Sequence, residues 1–270
     1  MSRNIYRNRR DLGEIISTDK LLATDYRRYV PVLEEPILQF YTKASSASDA
    51  FDPAFTVSSG ILKWDLGDGN TLDSNSFSHS YADNSQKLVR VYKGTTSGGN
   101  SITGIDLSND KITGSIDLSN LTSLATSILL YTNSELTEVI NPSTNGNALN
   151  SYFSLCNISP TLDVTGIVNL GGTFSCFSNL NLYNLYLPVI NKQFTTFRAD
   201  VCGLYLESVD AIFSKLNTWY SSHPPTANLT VNTSGGTNSP PTDGASNTDI
   251  INLQSIFSTA GKVLTININY

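Results

Sequence analysis

Two hydrophobic periods run along this chain of 270 residues. Apolar positions alternate with polar ones, the two-residue period of half-buried strands, through most of residues 60–205. In Gly60–Tyr92, Leu62, Trp64 and Leu66 alternate with Ile61, Lys63 and Asp65. Gly67-Asp68-Gly69-Asn70 then supplies the positive φ of a hairpin turn. "FSHSY" and "LVRVY" alternate as well, which predicts a small antiparallel sheet with Trp64, Tyr81, Val89 and Val91 facing inward. Helical spacing appears only near the end. Val209, Ile212, Phe213 and Leu216 form one stripe, stopped by His223-Pro224-Pro225. Ile251, Ile256 and Phe257 form a second, with Asn247 or Thr248 as N-cap and Gly261 as the C′ stop. "VLTININY" closes the chain as a strand.

Between these parts the alternation itself repeats. "SITGIDLSND", "TSILLYTNS", "NSYFSLCNI", "GTFSCFSNL" and "TTFRADVCG" each read as a short strand ending at Asn or Cys. Taking Asn109, Asn133, Asn157, Asn179 and Cys202 as those ends gives intervals of 24, 24, 22 and 23 residues. A recurring period of this size predicts a solenoid of stacked coils. The residue type at the strand end has a physical basis: the chain turns inward there and leaves backbone groups without water. A buried Asn can satisfy them coil after coil, and a small Cys can fill the same corner.

These residues resemble two known families. "WDLGDG…HSYAD…LVRVY" is similar to the polycystic-kidney-disease (PKD) type of immunoglobulin-like module. Too few strand-like runs precede Trp64 for a complete sandwich, so the resemblance implies a truncated cap. The repeated strands resemble leucine-rich repeats: Ala125, Ile128, Leu130, Asn133; Gly171, Phe174, Cys176, Asn179; and Phe194, Phe197, Ala199, Cys202 follow their L-x-x-L-x-L-x-x-N/C pattern. The strand–loop–helix–strand ending resembles terminal repeats of leucine-rich proteins from bacteriophage particles and Bacteroidetes surfaces. The expected fold is therefore mainly β with α elements. It comprises an extended N-terminal arm (1–43), a β-hairpin or PKD-like cap (44–98) and a leucine-rich-repeat-like solenoid with atypical, helix-containing terminal coils (99–270).

The arm is set apart by charge. Residues 1–43 carry eight Lys/Arg against six Asp/Glu, and residues 44–270 carry nine against seventeen. Pro31 and Pro36 prevent a long helix beyond Tyr29. The segment reads either as a floppy terminus or as an extended peg that orders on a partner, with Arg3, Tyr6, Arg7, Arg9 and Arg10 as the attachment residues. An acidic body offers little attraction to phosphates, so no nucleic-acid partner is expected. No apolar run approaches the length of a membrane span. The N-terminus has no apolar h-region or small-residue cleavage site, so it does not read as a signal peptide.

Candidate chemistry is sparse. Asp65, Asp68 and Asn70 are oxygen donors in one turn and a candidate calcium site, but no twelve-residue loop with a closing Glu surrounds them. They read as turn residues. His79 reads as a packed strand residue and His223 as a loop residue. Cys156, Cys176 and Cys202 match no zinc spacing, do not form a disulfide framework and have no basic neighbour to make a thiolate. Phosphate-loop, dinucleotide, zincin and serine-hydrolase motifs are missing, and no carboxylate pair for glycoside hydrolysis is visible. The expectation is a non-enzymatic protein without cofactor. Aromatic residues offer the alternative: Tyr131, Tyr152 and Tyr183 fall in or just after the repeated strands and form a candidate binding face. Tyr186, Tyr205, Phe153 and Phe177 lie nearby.

The family resemblance implies a phage virion structural protein, a tail, baseplate or head-fibre component. It would fold in the host cytoplasm, dock on other virion proteins through residues 1–43 and contact a host-surface glycan or protein, with self-association into a homo-oligomer compatible. The alternative implied is a secreted or surface leucine-rich-repeat adhesin located on the bacterial cell surface.

Overall fold

The structure, a computed structural model, describes residues 35–44, 49–94, 101–140, 150–168 and 170–269. Two compact units divide the chain, Met1–Glu35 and Pro36–Tyr270. Only the second falls within the described residues in any length. The attachment residues Arg3, Tyr6, Arg7, Arg9 and Arg10 lie outside them.

Among its described residues the second unit is mainly β, with two α-helices and a β-solenoid of about four turns. Each of its four coils contributes one strand to an eight-stranded sheet and a second strand to one of two smaller sheets. The first coil contains β6 (Ile102–Asp106) and β7 (Ile112–Asp117), the second β8 (Ser127–Leu129) and β9 (Glu135–Ile140). The third contains β10 (Asn150–Tyr152) and β11 (Thr161–Asp163), the fourth β12 (Gly172–Ser175) and β13 (Asn184–Tyr186). Afterwards helices replace the second strand: β14 (Phe194–Arg198) leads to α1 (Leu206–Ser222), and β15 (Leu229–Asn232) leads to α2 (Thr248–Thr259). β16 (Leu264–Asn267) is the last rung. Strands β6, β8, β10, β12, β14, β15 and β16 lie side by side, all parallel.

The register explains the repeat. Ile105, Ile128, Ser151, Phe174, Phe197, Val231 and Ile266 are successive cross-strand neighbours, one per coil. All but Ile266 are fully buried, so each coil inserts one side chain into a continuous internal stack. Phe174 and Phe197 stack at 4.9 Å, and Phe153 lies 6.2 Å from Phe174. Burying each such ring is worth about 2–3 kcal/mol, which no single coil could secure alone.

The cap joins the eight-stranded sheet and the six-stranded sheet that contains β7 and β9. Its strands are β1 (Leu38–Thr42), β2 (Ala54–Val57), β3 (Lys63–Asp65), β4 (Thr71–Asp73) and β5 (Lys87–Tyr92). β2 pairs antiparallel with β6, and β1 lies between β5 and β7, antiparallel to both. β1 thus places the end of the segment expected to be an arm inside a sheet. Trp64, Tyr81, Val89 and Val91 are buried, together with Phe40 and Phe51. Phe51 meets Trp64 edge-on at 6.1 Å and Phe77 at 5.7 Å. The polar tips are satisfied: Trp64 Nε1 donates to the Ser74 carbonyl at 2.8 Å, and the Tyr81 hydroxyl to the Leu66 carbonyl at 3.0 Å. "FSHSY" makes one isolated bridge, His79 to Phe51, instead of the expected strand, and Ser76 just before it bridges to Ala54. Gly67 is required by close approach: at φ 75°, a Cβ would stand 2.4 Å from the Leu88 carbonyl oxygen.

The helices seal the later coils. α1 buries Val209, Ile212, Phe213, Leu216 and Tyr220. The Tyr220 hydroxyl donates to the Phe194 carbonyl at 3.1 Å and accepts from its amide at 3.2 Å. α2 starts at Asn247, whose side chain accepts from the Asp249 and Ile250 amides, and buries Ile250, Leu253 and Phe257. Ile251, assigned above to the buried face, is 49% exposed. Ile250 takes its place on the buried face, and Phe257 of that face meets Tyr220 of α1 at 4.8 Å.

Candidate functional site

Corner residues set the geometry of every outward position. Asn133 and Asn179 are fully buried at two corners. Asn133 Oδ1 accepts from the Ile112 amide at 2.9 Å, and its Nδ2 donates to the Leu107 and Leu130 carbonyls at 2.8 Å each. Asn179 repeats this with Ile158, Phe153 and Cys176, and Asn238 with Leu204, Ala199 and Thr233. Cys202 Sγ reaches back to the Cys176 carbonyl at 3.3 Å. Asn109 and Asn157 are exposed, and the buried corners of the first and third coils belong to their neighbours Asp110 and Cys156. Cys156 Sγ contacts the Leu130 carbonyl at 3.1 Å. The corrected column, Asp110, Asn133, Cys156, Asn179 and Cys202, has a uniform interval of 23 residues. That uniformity was the available signal for the right register.

The residue before each corner is left-handed: Asn109, Thr132, Leu155, Ser178 and Val201 have φ between 54° and 64°. Leu129, Tyr131, Tyr152, Ser154, Leu155 and Phe177 line a cleft of about 450 Å³. Tyr131 and Tyr152, from adjacent coils, meet edge-on at 6.1 Å. The Arg198 guanidinium covers the Phe177 ring at 4.0 Å. Arg198 is held there by two bonds to Asp200, at 2.9 and 2.7 Å, which also raise its pKa. Beneath the rim, the Ser154 and Ser175 hydroxyls bond to each other at 2.8 Å. An aromatic floor with a fixed ion pair at one side can hold a flat, partly apolar ligand by ring contact.

Tyr183 is elsewhere. It stacks on Tyr205 at 5.3 Å with rings 10° from parallel, against Gly203, where a Cβ would stand 2.8 Å from the Tyr183 ring. Phe153 is in the core, and Tyr186 is 52% exposed on the opposite sheet. The face expected from Tyr131, Tyr152 and Tyr183 therefore resolves into a cleft containing the first two and a separate pair containing the third. Leu129, Leu155 and the Arg198–Asp200 pair were not read from the sequence, because only the lateral register brings them to the tyrosines.

The acidic turn is internally satisfied. Asp65 accepts from the Gly67 amide at 3.0 Å and pairs with Arg90 at 2.9 Å. Asp68 accepts from the Asn70 amide and side chain, both at 3.0 Å, and from His79 Nε2 at 2.9 Å. Partial burial works against the Asp68 charge, but the Asn70 and His79 bonds outweigh it and lower its pKa. The oxygens of the candidate calcium turn are thus engaged by Arg90, His79 and Asn70. Among the described residues, no group of three or more His, Cys, Asp or Glu is placed to hold a metal. The three cysteines are free and buried; burial pushes the Cys156 thiol up to about 11 and the Cys176 thiol upward too. His223 stacks on Trp219 at 5.0 Å, beside a second cleft of about 440 Å³ that Val189 and Lys215 help to line. No helix among the described residues is long and apolar enough to cross a membrane.

Comparison of the chain with known protein families, curated proteins and solved structures gave no match.

Proposed function

We propose that this chain is a non-enzymatic structural and binding protein of a phage particle, a tail, baseplate or head-fibre component. Its N-terminal segment docks on neighbouring virion proteins, and its solenoid touches a glycan on the host surface. In this reading the solenoid is a short leucine-rich-repeat relative, and the cap is a shortened PKD-type module built into its first coil. The observation that carries the binding role is the cleft around Tyr131 and Tyr152. Two rings from successive coils offer apolar faces to a sugar, while Arg198 and Asp200 stand beside them for its hydroxyls. The acidic, Ser/Thr/Asn-rich composition of residues 44–270 suits a surface that stays hydrated outside a cell.

Two measurements test this. Mass spectrometry of purified particles should find the chain at fixed stoichiometry; finding it only in a bacterial surface fraction would overturn the virion assignment in favour of a cell-surface adhesin. Binding of the full chain to a bacterial surface-polysaccharide array should fall at least roughly tenfold in Tyr131→Ala and Tyr152→Ala, the loss of about 1.4 kcal/mol of ring contact each. Tyr183→Ala, outside the cleft, should bind normally. Equal binding by all three variants sinks the cleft assignment.

A further inference from the structure

One corner residue differs in chemistry from the rest of its column. Asp110 is 1% exposed and occupies the first coil's corner, where Asn133, Asn179 and Asn238 stand in later coils. In each asparagine the side-chain oxygen accepts an amide proton from the preceding coil, and the nitrogen donates to carbonyls. Asp110 reproduces the first half: Oδ1 accepts the Asp52 amide at 2.6 Å. Asp52 belongs to the cap, which therefore takes the place of a preceding coil. The second half requires a donor, and a carboxylate has none. Oδ2 is buried and has no hydrogen-bond partner among the described residues.

Among the described residues no cation compensates Asp110. Asp52 and Asp106 bear on Asp110 with charge of the same sign. The neighbouring Lys111 is paired with Asp49 at 3.1 Å, and Lys43 with Glu135. Tyr81 is neutral, its hydroxyl bonded to the Leu66 carbonyl. Burial, opposed by the Asp52 amide and reinforced by Asp52 and Asp106, pushes the Asp110 carboxyl up to about 8. Bonds to backbone carbonyls tie the same seam: the Thr42 hydroxyl donates to the Asp110 carbonyl at 2.6 Å, and the Lys43 amide to the Lys111 carbonyl at 3.1 Å.

We propose that Asp110 works as an un-ionised carboxylic acid, a surrogate for the column's asparagine, and that its ionisation loosens the seam between cap and solenoid. The device is an alkali-sensitive clasp: closed in acid and at neutrality, weakened in base. The direction follows from linkage. The folded chain keeps a proton that the unfolded chain releases near 3.8, so stability falls as pH rises from there to about 8 and levels off above. An Asn at this position carries a permanent donor and has no such dependence.

The test compares the full chain with Asp110→Asn between pH 5 and pH 9. Wild-type melting temperature should fall across this range, and Asp110→Asn should cancel most of the fall and exceed wild type at pH 9. Hydrogen exchange at the Asp52 amide and the Trp64 indole, after correction for intrinsic rates, should accelerate by roughly tenfold or more in wild type from pH 5 to pH 9. Exchange at the Ile158 amide, three coils into the solenoid, should not. Parallel melting curves for the two proteins, or uniform acceleration at Asp52 and Ile158, would overturn the proposal. Should Asp110→Asn fail to fold, carbon NMR of the wild-type carboxyls decides. One Asp titrating above pH 7 supports the clasp, and all titrating below pH 5 refutes it.

Discussion

Replacing Asn179 by Ala removes three hydrogen bonds at a site with no exposure. The Ile158 amide loses its acceptor at 3.0 Å, and the Phe153 and Cys176 carbonyls each lose a donor at 2.8 Å. A buried polar group left without a partner costs about 1–3 kcal/mol, and partial collapse or an admitted water relieves some of this. The expected loss is about 3–5 kcal/mol, a large part of the roughly 5–15 kcal/mol that holds a typical domain. At about 2–4 °C per kcal/mol for a body of this size, the melting temperature should drop by around 10 °C. Asn179→Cys should cost less, about 1–2 kcal/mol, because Cys156 and Cys202 already serve equivalent corners through Sγ-to-carbonyl contacts. Asn157→Ala, at an exposed asparagine, should change stability by no more than about 0.5 kcal/mol. Urea unfolding with the denaturant slope held constant measures all three. The reasoning is refuted if Asn179→Ala stays within about 1 kcal/mol of wild type, or if Asn157→Ala is equally damaging.

Two further outcomes follow from backbone geometry. Val201 is a β-branched residue held at φ 54°, so Val201→Gly should relieve about 1–2 kcal/mol of left-handed strain. Glycine's greater chain entropy returns about 0.5–1 kcal/mol, leaving a net gain of about 0.5–1 kcal/mol in urea unfolding. Gly67→Ala should do the opposite and cost about 3 kcal/mol in thermal melts, since its Cβ would overlap the Leu88 carbonyl at a φ of 75°.

The repeat was legible because strands of a solenoid share one two-residue pattern and one contour length. Its register was harder to read. At the first and third corners an Asn stands immediately beside the true corner residue, and choosing residues by type favoured Asn109 and Asn157 over Asp110 and Cys156. Equal spacing was the better criterion, since stacking in register demands the same contour from every coil. Tyr183 failed for a related reason. Tyr131 stands two residues before its corner and Tyr152 four before, whereas Tyr183 stands four after Asn179, past the turn and off that surface. The insertion of β1 between β5 and β7 was not legible at all. It depends on pairing residues some fifty to seventy positions apart, such as Phe40 with Val89 and Tyr41 with Thr113. No local period records such a match. In α2 the stripe was visible but misplaced, because Ile250 and Ile251 are both apolar and only the contact with α1 chooses between them.

The alternation of amide and thiol along the corners has a consequence for how such a rod changes length. Asn133 is followed by Cys156, Asn179 by Cys202, and each reaches back one step to groups of the coil before it. Duplicating one coil would set two amides or two thiols side by side, whereas duplicating a neighbouring pair restores the sequence of donors and acceptors at both junctions. The natural unit of growth, for evolution or for an engineer extending the reach of the molecule, is thus two coils rather than one.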